Sequence, residues 1–404
     1  MTDVVVIGAG FAGLWAALGA ARRLDELGLP ADEVTVTVLS SVAYHDIRVR
    51  NYEADLASCR IPLGQIFDPV GVVHLAATVT AIDPDAHTVT VDCDGASRTV
   101  RYDRLVLAAG SAVVRPDIPG LRQYGFDVDT YAGATRLAAH LTRLGQGPST
   151  PAATTAVVVG AGLTGIETAC ELPARLASLF GAVQPRRVVL VDHNPLVGSD
   201  MGDSARPVIA QALADLGVET LMGTGVTAVG ADTVTMSTGE VVPAATVVWC
   251  AGMRASPLTA QLPVERDRLG RLPVDEYLRV IGVPDVFAAG DVAAAMMDDE
   301  HPSVMSCQHG RPMGRYAGYN VIGDLLGEPM LALRIPWYVT VLDLGPAGAV
   351  YTEGWDRQVV ATGAVAKATK TTINTRRIYP PLAGDRAELL AAAAPELQSR
   401  PTRE

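Results

Sequence analysis

A glycine signature occurs twice in this chain at a fixed offset, and that repeat restricts the fold more than any other feature. Residues Val4-Val5-Val6-Ile7-Gly8-Ala9-Gly10-Phe11-Ala12-Gly13 read as a short apolar strand running through glycines into a helix that ends near Leu27. Residues Val157-Val158-Val159-Gly160-Ala161-Gly162-Leu163-Thr164-Gly165 repeat the pattern, and adding 152 to 8, 10 and 13 gives 160, 162 and 165. The register persists: strand Val34 to Leu39 ends at Ser40, and strand Val188 to Val191 ends at Asp192, which is again 40 plus 152. In a strand-to-helix G-x-G-x-x-G turn the first glycine permits the tight bend and the second lets backbone approach a pyrophosphate. The third lets helix pack on strand, and the helix N-terminus holds the phosphates with its unpaired N–H groups and dipole. One copy could be a ligand-free glycine turn, but packing alone gives no reason for two in register.

Each half closes with a similar strand, Leu105-Val106-Leu107-Ala108-Ala109-Gly110 in the first and Val247-Val248-Trp249-Cys250-Ala251-Gly252 in the second. A third, Val286-Phe287-Ala288-Ala289-Gly290-Asp291, follows the second half, as if the chain had returned to the first. Asp291 falls where a strand meets a ligand crevice. The fold class expected is therefore α/β, with two nested Rossmann-like dinucleotide-binding domains and a small C-terminal α+β domain. The expected boundaries are 1–115 with 255–330 for the first, 116–254 for the second and 331–404 for the third, the last suggested by the runs Trp337 to Leu342 and Gly348 to Tyr351. A length of 404 residues accommodates two or three domains, and 49% hydrophobic with only 5% aromatic residues suits helices packed closely on parallel sheets.

A net charge of -12 argues against nucleic acid and against polybasic membrane anchoring. The uncharged run Val4 to Ala21 has the length of a membrane span, but Gly8, Gly10, Gly13 and Gly19 interrupt it, so no transmembrane segment is expected. The five cysteines, Cys59, Cys93, Cys170, Cys250 and Cys307, form no C-x-x-C pair, which spells out neither a redox dithiol nor a metal site and favours the cytoplasm.

The nesting of one dinucleotide unit inside another resembles the pyridine nucleotide-disulfide reductase superfamily over about residues 3 to 330. The resemblance implies FAD on the first unit, at Gly8, Gly10, Ala12, Gly13, Ser40, Ala109, Gly110, Gly290 and Asp291, and a nicotinamide dinucleotide on the second, at Gly160, Gly162, Gly165, Asp192 and Gly252. Ser40 stands where the family usually has an acidic ribose-binding residue. Asp192, followed by His193 and Asn194 with no arginine, favours NADH, while His193 leaves NADPH open. Arg48 is a candidate for pyrophosphate or substrate, and Glu167, in the first turn after Gly165, a candidate at the nicotinamide.

Disulfide reductases need two cysteines beside the flavin, and the corresponding stretch Tyr44 to Arg60 has only Cys59. The segment Met305 to Gly314 instead resembles the A-Q-x-A-x-Q-x-G quinone segment of type II NADH:quinone oxidoreductases, with Gln308 matching the first glutamine and Pro312 replacing the second. That resemblance implies a catalytic place for Gln308, with His309 as a candidate acid for the reduced acceptor. Lys367 and Lys370 stand where those enzymes carry tryptophans, so a polar or anionic acceptor is an alternative to a lipid quinone, and Lys367 is a further catalytic candidate. The C-terminal stretch Arg386 to Leu397 lacks the aromatic anchors of a membrane-docking helix. The function expected is an FAD-dependent NAD(P)H oxidoreductase that passes hydride to a small-molecule, quinone-like electron acceptor, with a homodimer as the family's usual assembly. Two alternatives stay open: a flavoenzyme acting on a small biosynthetic intermediate, and a nicotinamide-sensing flavoprotein resembling apoptosis-inducing factor.

Overall fold

The computed structural model describes residues 2–30, 33–181 and 185–397, so the last seven residues of the expected C-terminal domain lie outside it. Strand Thr2–Ile7 is buried on both faces from Val4 to Ile7, as in a parallel sheet covered by helices, while Val34–Ser40 alternates buried Val with part-buried Thr before Val38 and Leu39. They lie at the centre of a five-stranded sheet ordered Val286–Ala288, Arg104–Leu107, Thr2–Ile7, Val34–Ser40, Val73–Ala76, all parallel. A second sheet, ordered Gly125–Phe126, Thr246–Trp249, Thr155–Val159, Arg187–Asp192, Val218–Met222, has the same arrangement. The sequence repeat is thus a repeat of topology. The chain leaves the first sheet after Arg104–Leu107 and rejoins it at Val286–Ala288 once the second sheet is complete. At the crossing, Ser111–Val113 pairs antiparallel with Met253–Ala255, so the outgoing and returning segments run side by side.

Glycines set the distance between the two long helices on the first sheet. Helix Phe11–Glu26 follows the first loop, and helix Cys307–Leu326 follows the Asp291 turn. Gly310, Gly314 and Gly318 recur every four residues and so lie along one face of the second helix. A Cβ at Gly314 would overlap the Ala12 carbonyl oxygen and one at Gly318 the Ala16 carbonyl oxygen, while one at Gly19 would come within 2.7 Å of the Arg315 carbonyl oxygen. The backbones touch, which explains glycines in a helix interior despite a propensity cost of about 1 kcal/mol each.

The C-terminal segment forms the expected antiparallel sheet, Val339–Asp343, Ala349–Glu353 and Gln358–Thr362, covered by helix Gly363–Thr372. That helix runs into a wider π turn at Ile373–Arg377. Strand Val339–Asp343 packs against helix Leu163–Phe180, which carries Glu167. No helix among the described residues is long and apolar enough to cross a membrane.

Candidate functional site

The two glycine loops match in atomic detail. Gly8 and Gly160 have φ of +103° and +106°, a left-handed conformation that strains any residue with a side chain. A Cβ at Gly13 would overlap the Gly8 carbonyl oxygen, and one at Gly165 the Gly160 carbonyl oxygen, so each third glycine lets its helix rest on its own loop. The middle glycines differ from these. Gly10 has open space on its Cβ side and Gly162 meets nothing nearer than 3.4 Å, so nothing in the protein fills the place a ligand would take. Ala12 faces Gly290, where a Cβ would come within 2.7 Å of the Ala12 methyl group, so both must be small. His45 supports the first loop: its Nδ1 donates to the Ala9 carbonyl at 2.9 Å, and its buried Nε2 has no hydrogen-bond partner among the described residues. Burial lowers the ring's pKa to about 4, so it is neutral. The open middle glycines and left-handed first glycines at both helix starts fit dinucleotide pyrophosphates, while the unprotonated Nε2 of His45 could only accept a hydrogen bond, as from a ligand hydroxyl.

Arg48 and Asp291, separated by most of the chain, meet through Ser111. The Arg48 guanidinium donates to the Ser111 carbonyl at 2.9 Å, the Ser111 hydroxyl donates to Asp291 Oδ2 at 2.6 Å, and Arg48 also pairs with Asp129. Burial raises the Asp291 carboxyl, and the Ser111 hydroxyl and Arg48 charge oppose that rise. Gly110 next to Ser111 has φ of +67° and open space on its Cβ side. Ser40 turns back on its own loop, its hydroxyl donating to the Val42 carbonyl at 3.0 Å.

A cavity of about 1030 Å³ connects the second loop to the start of helix Cys307–Leu326. Of the expected site residues, Arg48, Gly160, Gly162, Glu167, Asp192, Gly252 and Gln308 line it. Asp192 is buried rather than a solvated turn residue: Oδ2 accepts the Ala161 N–H at 2.5 Å and Oδ1 accepts the Asn194 N–H at 2.7 Å, which ties the strand end to the glycine loop. Gln308 reaches the cavity with its Nε2 buried and unpartnered among the described residues, and Pro312 on the same wall has no N–H to give the Gln308 carbonyl.

The structure does not bring His309 or Lys367 to that wall. His309 faces away, its Nδ1 accepting the Val304 N–H at 2.8 Å and its ring lying against Tyr338 and Trp355. Burial lowers its pKa to about 4, so near neutrality the ring is not an imidazolium acid, and its one N–H, on Nε2, is buried without a partner among the described residues. Lys367 pairs with Asp343 at 2.5 Å, and it is Lys370, one turn on, that lines the cavity. The Lys370 Nζ donates to Glu167 Oε1 at 2.7 Å and to the Val341 carbonyl at 3.0 Å, and the Asp343 N–H donates to the same Glu167 oxygen at 3.1 Å. Burial pushes the Glu167 carboxyl up against the pull of Lys370, while Glu167 keeps Lys370 charged. Tyr52 completes the cluster by donating to Asp343 Oδ2 at 3.2 Å. Lys370 was noted beside Lys367 without a partner, and Asp343, Tyr52 and Ser111 were missed, because only the C-terminal sheet and the crossing ribbon bring them to the site.

Cys250 and Cys307 also line the cavity, but burial raises both thiols, Cys250 to about 12, so neither is a thiolate at neutral pH. Cys59 is buried with its thiol raised to about 11, in keeping with a structural residue. Among the described residues no His, Cys, Asp or Glu group could hold a metal.

The profile of the pyridine nucleotide-disulphide oxidoreductase family matches residues 2–314. An NADH dehydrogenase-like protein of Mycobacterium tuberculosis (strain CDC 1551 / Oshkosh) is 71% identical over 404 residues, covering 99% of this chain and 100% of that one. A type II NADH:quinone oxidoreductase of Staphylococcus saprophyticus is 27% identical over 93% of this chain and 95% of its own. Among solved structures, NDH2 of Plasmodium falciparum in complex with NADH superposes with a TM-score of 0.78 at 13% identity, covering 97% of both chains.

Proposed function

Because the chain belongs to the pyridine nucleotide-disulphide oxidoreductase family, we propose that it is an FAD-dependent NADH oxidoreductase that reduces a quinone-like small molecule. In this reading residues 1–115 and 255–330 carry FAD, 116–254 carry NADH and 331–404 close the acceptor side. The observation that carries it is the single cavity running from Gly160, Gly162 and Asp192 to Gln308, with no low-pKa thiol on its walls. FAD, when bound, supplies a ring that accepts two electrons and gives them up again.

The chain's own residues do the rest. Gly8, Gly10 and Gly13 seat one pyrophosphate, with Arg48, Ser111 and Asp291 at the strand ends beside it; Gly160, Gly162 and Gly165 seat the other. Asp192 holds the second loop against its strand and offers a carboxylate to ribose hydroxyls, which favours NADH over a 2′-phosphate. Gln308 offers an unpaired amide N–H to an acceptor carbonyl. Glu167 and Lys370 share a proton-bearing hydrogen bond at the cavity wall, which makes them the candidate source of a proton for a reduced acceptor. Anaerobic visible spectroscopy tests this. NADH should bleach the flavin band, NADPH should do so only at much higher concentration, and a water-soluble quinone should restore it. A protein that stays colourless with FAD supplied, or ignores both nucleotides, overturns the reading.

A further inference from the structure

Behind the large cavity lies a smaller one of about 430 Å³, and the two share Arg311, Arg315, Arg377 and Leu397 as walls. Its lining carries four arginines, Arg311, Arg315, Arg376 and Arg377, against one carboxylate, Glu396, in a protein whose net charge is -12. Arg311 and Arg315 stand four residues apart on helix Cys307–Leu326, so like charges share one face, an arrangement that is unfavourable on its own. Both are buried, 6% and 5% exposed, and both stack on the indole of Trp15, at 5.3 and 4.2 Å. The π turn brings Arg376 and Arg377 to the same place, and such turns recur at functional sites.

Arg315 is the informative residue. Its Nε is buried with no hydrogen-bond partner among the described residues, and so is Nε1 of Trp15 on the same wall. Burial holds the Arg315 pKa down to about 10, with only the exposed Glu396 pulling the other way. Since a guanidinium keeps its proton at any biological pH, that unfavourable burial persists until an anion meets it.

We propose that Arg315, with Arg311, Arg376, Arg377 and the Trp15 indole N–H, forms an oxyanion seat, and that the electron acceptor carries a carboxylate or phosphate that sits there while its reducible ring lies in the large cavity. The inference rests on the oxidoreductase reading above and names the class of acceptor. NADH gives up a hydride, solvent one proton, and the quinone ring takes both, leaving NAD⁺ and a hydroquinone. The oxyanion positions the ring and is unchanged.

The test is steady-state reduction of a benzoquinone with a short alkyl chain ending in a carboxylate, against the methyl ester of the same compound. Ring and potential are common to the pair, so only charge differs. The KM for the acid should be at least about tenfold below that for the ester, the scale of one charge-assisted hydrogen bond. Arg315→Met should bring the ratio near one and Arg315→Lys should restore part of it. Equal KM values in the wild-type protein overturn the proposal without needing any variant to fold. So does equality combined with binding to phosphatidylglycerol vesicles, which assigns the arginines to a lipid headgroup. If NADH fails to bleach the flavin, or neither quinone reoxidises it, the oxidoreductase reading is what fails.

Discussion

Glu167 and Lys370 are 203 residues apart and share one buried hydrogen bond of 2.7 Å. Neither residue announces the other in the sequence, where Glu167 reads as a helix-start carboxylate and Lys367 looks as good a candidate as Lys370. The choice between the two lysines depends on how helix Gly363–Thr372 lies on its sheet, which no local pattern specifies. Lys370→Met should leave a buried carboxylate without its cation and cost roughly 3 to 5 kcal/mol near neutral pH. The raised Glu167 pKa would rise further, and a carboxyl raised in the folded state loses stability as pH climbs through that value. The deficit in Tm relative to wild type should therefore be larger at pH 8 than at pH 5; a deficit independent of pH would count against the pairing. The histidines act in the opposite direction. His45 and His309 have folded values near 4 against 6.5 when unfolded, so their neutral burial is fully compatible with the fold above pH 6.5 and stability falls as pH drops from 6.5 towards 4. Because His45 holds the Ala9 carbonyl, flavin release monitored by fluorescence should accompany that fall, and His309→Gln should lessen the loss of Tm without restoring flavin retention.

At the scale of elements, most of the site was legible because glycine reports backbone geometry directly. Both loops, the strand ends at Ser40 and Asp192, and the return strand before Asp291 lie where the spacing places them. The segment after Asp291 was read in part. Gln308 reaches the cavity but His309, the next residue, is rotated about 100° around the helix and packs on Tyr338 and Trp355. Gly314, read as part of a quinone segment, has a second reason to be glycine in its contact with the Ala12 backbone. Gly318 shares that reason and no ligand contact. Gly318→Ala would gain about 1 kcal/mol of helix propensity, yet its methyl would overlap the Ala16 carbonyl, so the net expectation is destabilisation by about 2 kcal/mol. Chemical denaturation should show a lower midpoint; a raised one would mean the helices separate without strain.

For the whole molecule, the two loops should be separable by mutation, since each middle glycine borders open space. Gly10→Val places a side chain in open space, and Gly162→Val places one beside only the Asp200 carboxylate, at 3.4 Å from the Cβ, so both proteins should fold. Gly10→Val is expected to lose its flavin colour on purification. Gly162→Val should stay yellow and raise the KM for NADH by about tenfold or more, equivalent to 1.4 kcal/mol. Loss of flavin from the second variant would show that the halves do not divide the ligands in this way. The crossing ribbon, Ser111–Val113 beside Met253–Ala255, has one more consequence. Entry and exit of the inserted segment lie a single strand spacing apart, about 5 Å. Such a segment can be cut out, closed with a short turn, or exchanged for one from a relative with different nucleotide preference, and the interrupted sheet need not rearrange to receive it. On the reading proposed above, donor specificity would be a cassette exchangeable at this seam, provided its second contact, Glu167 with Lys370 and Asp343 of the C-terminal sheet and helix, is kept.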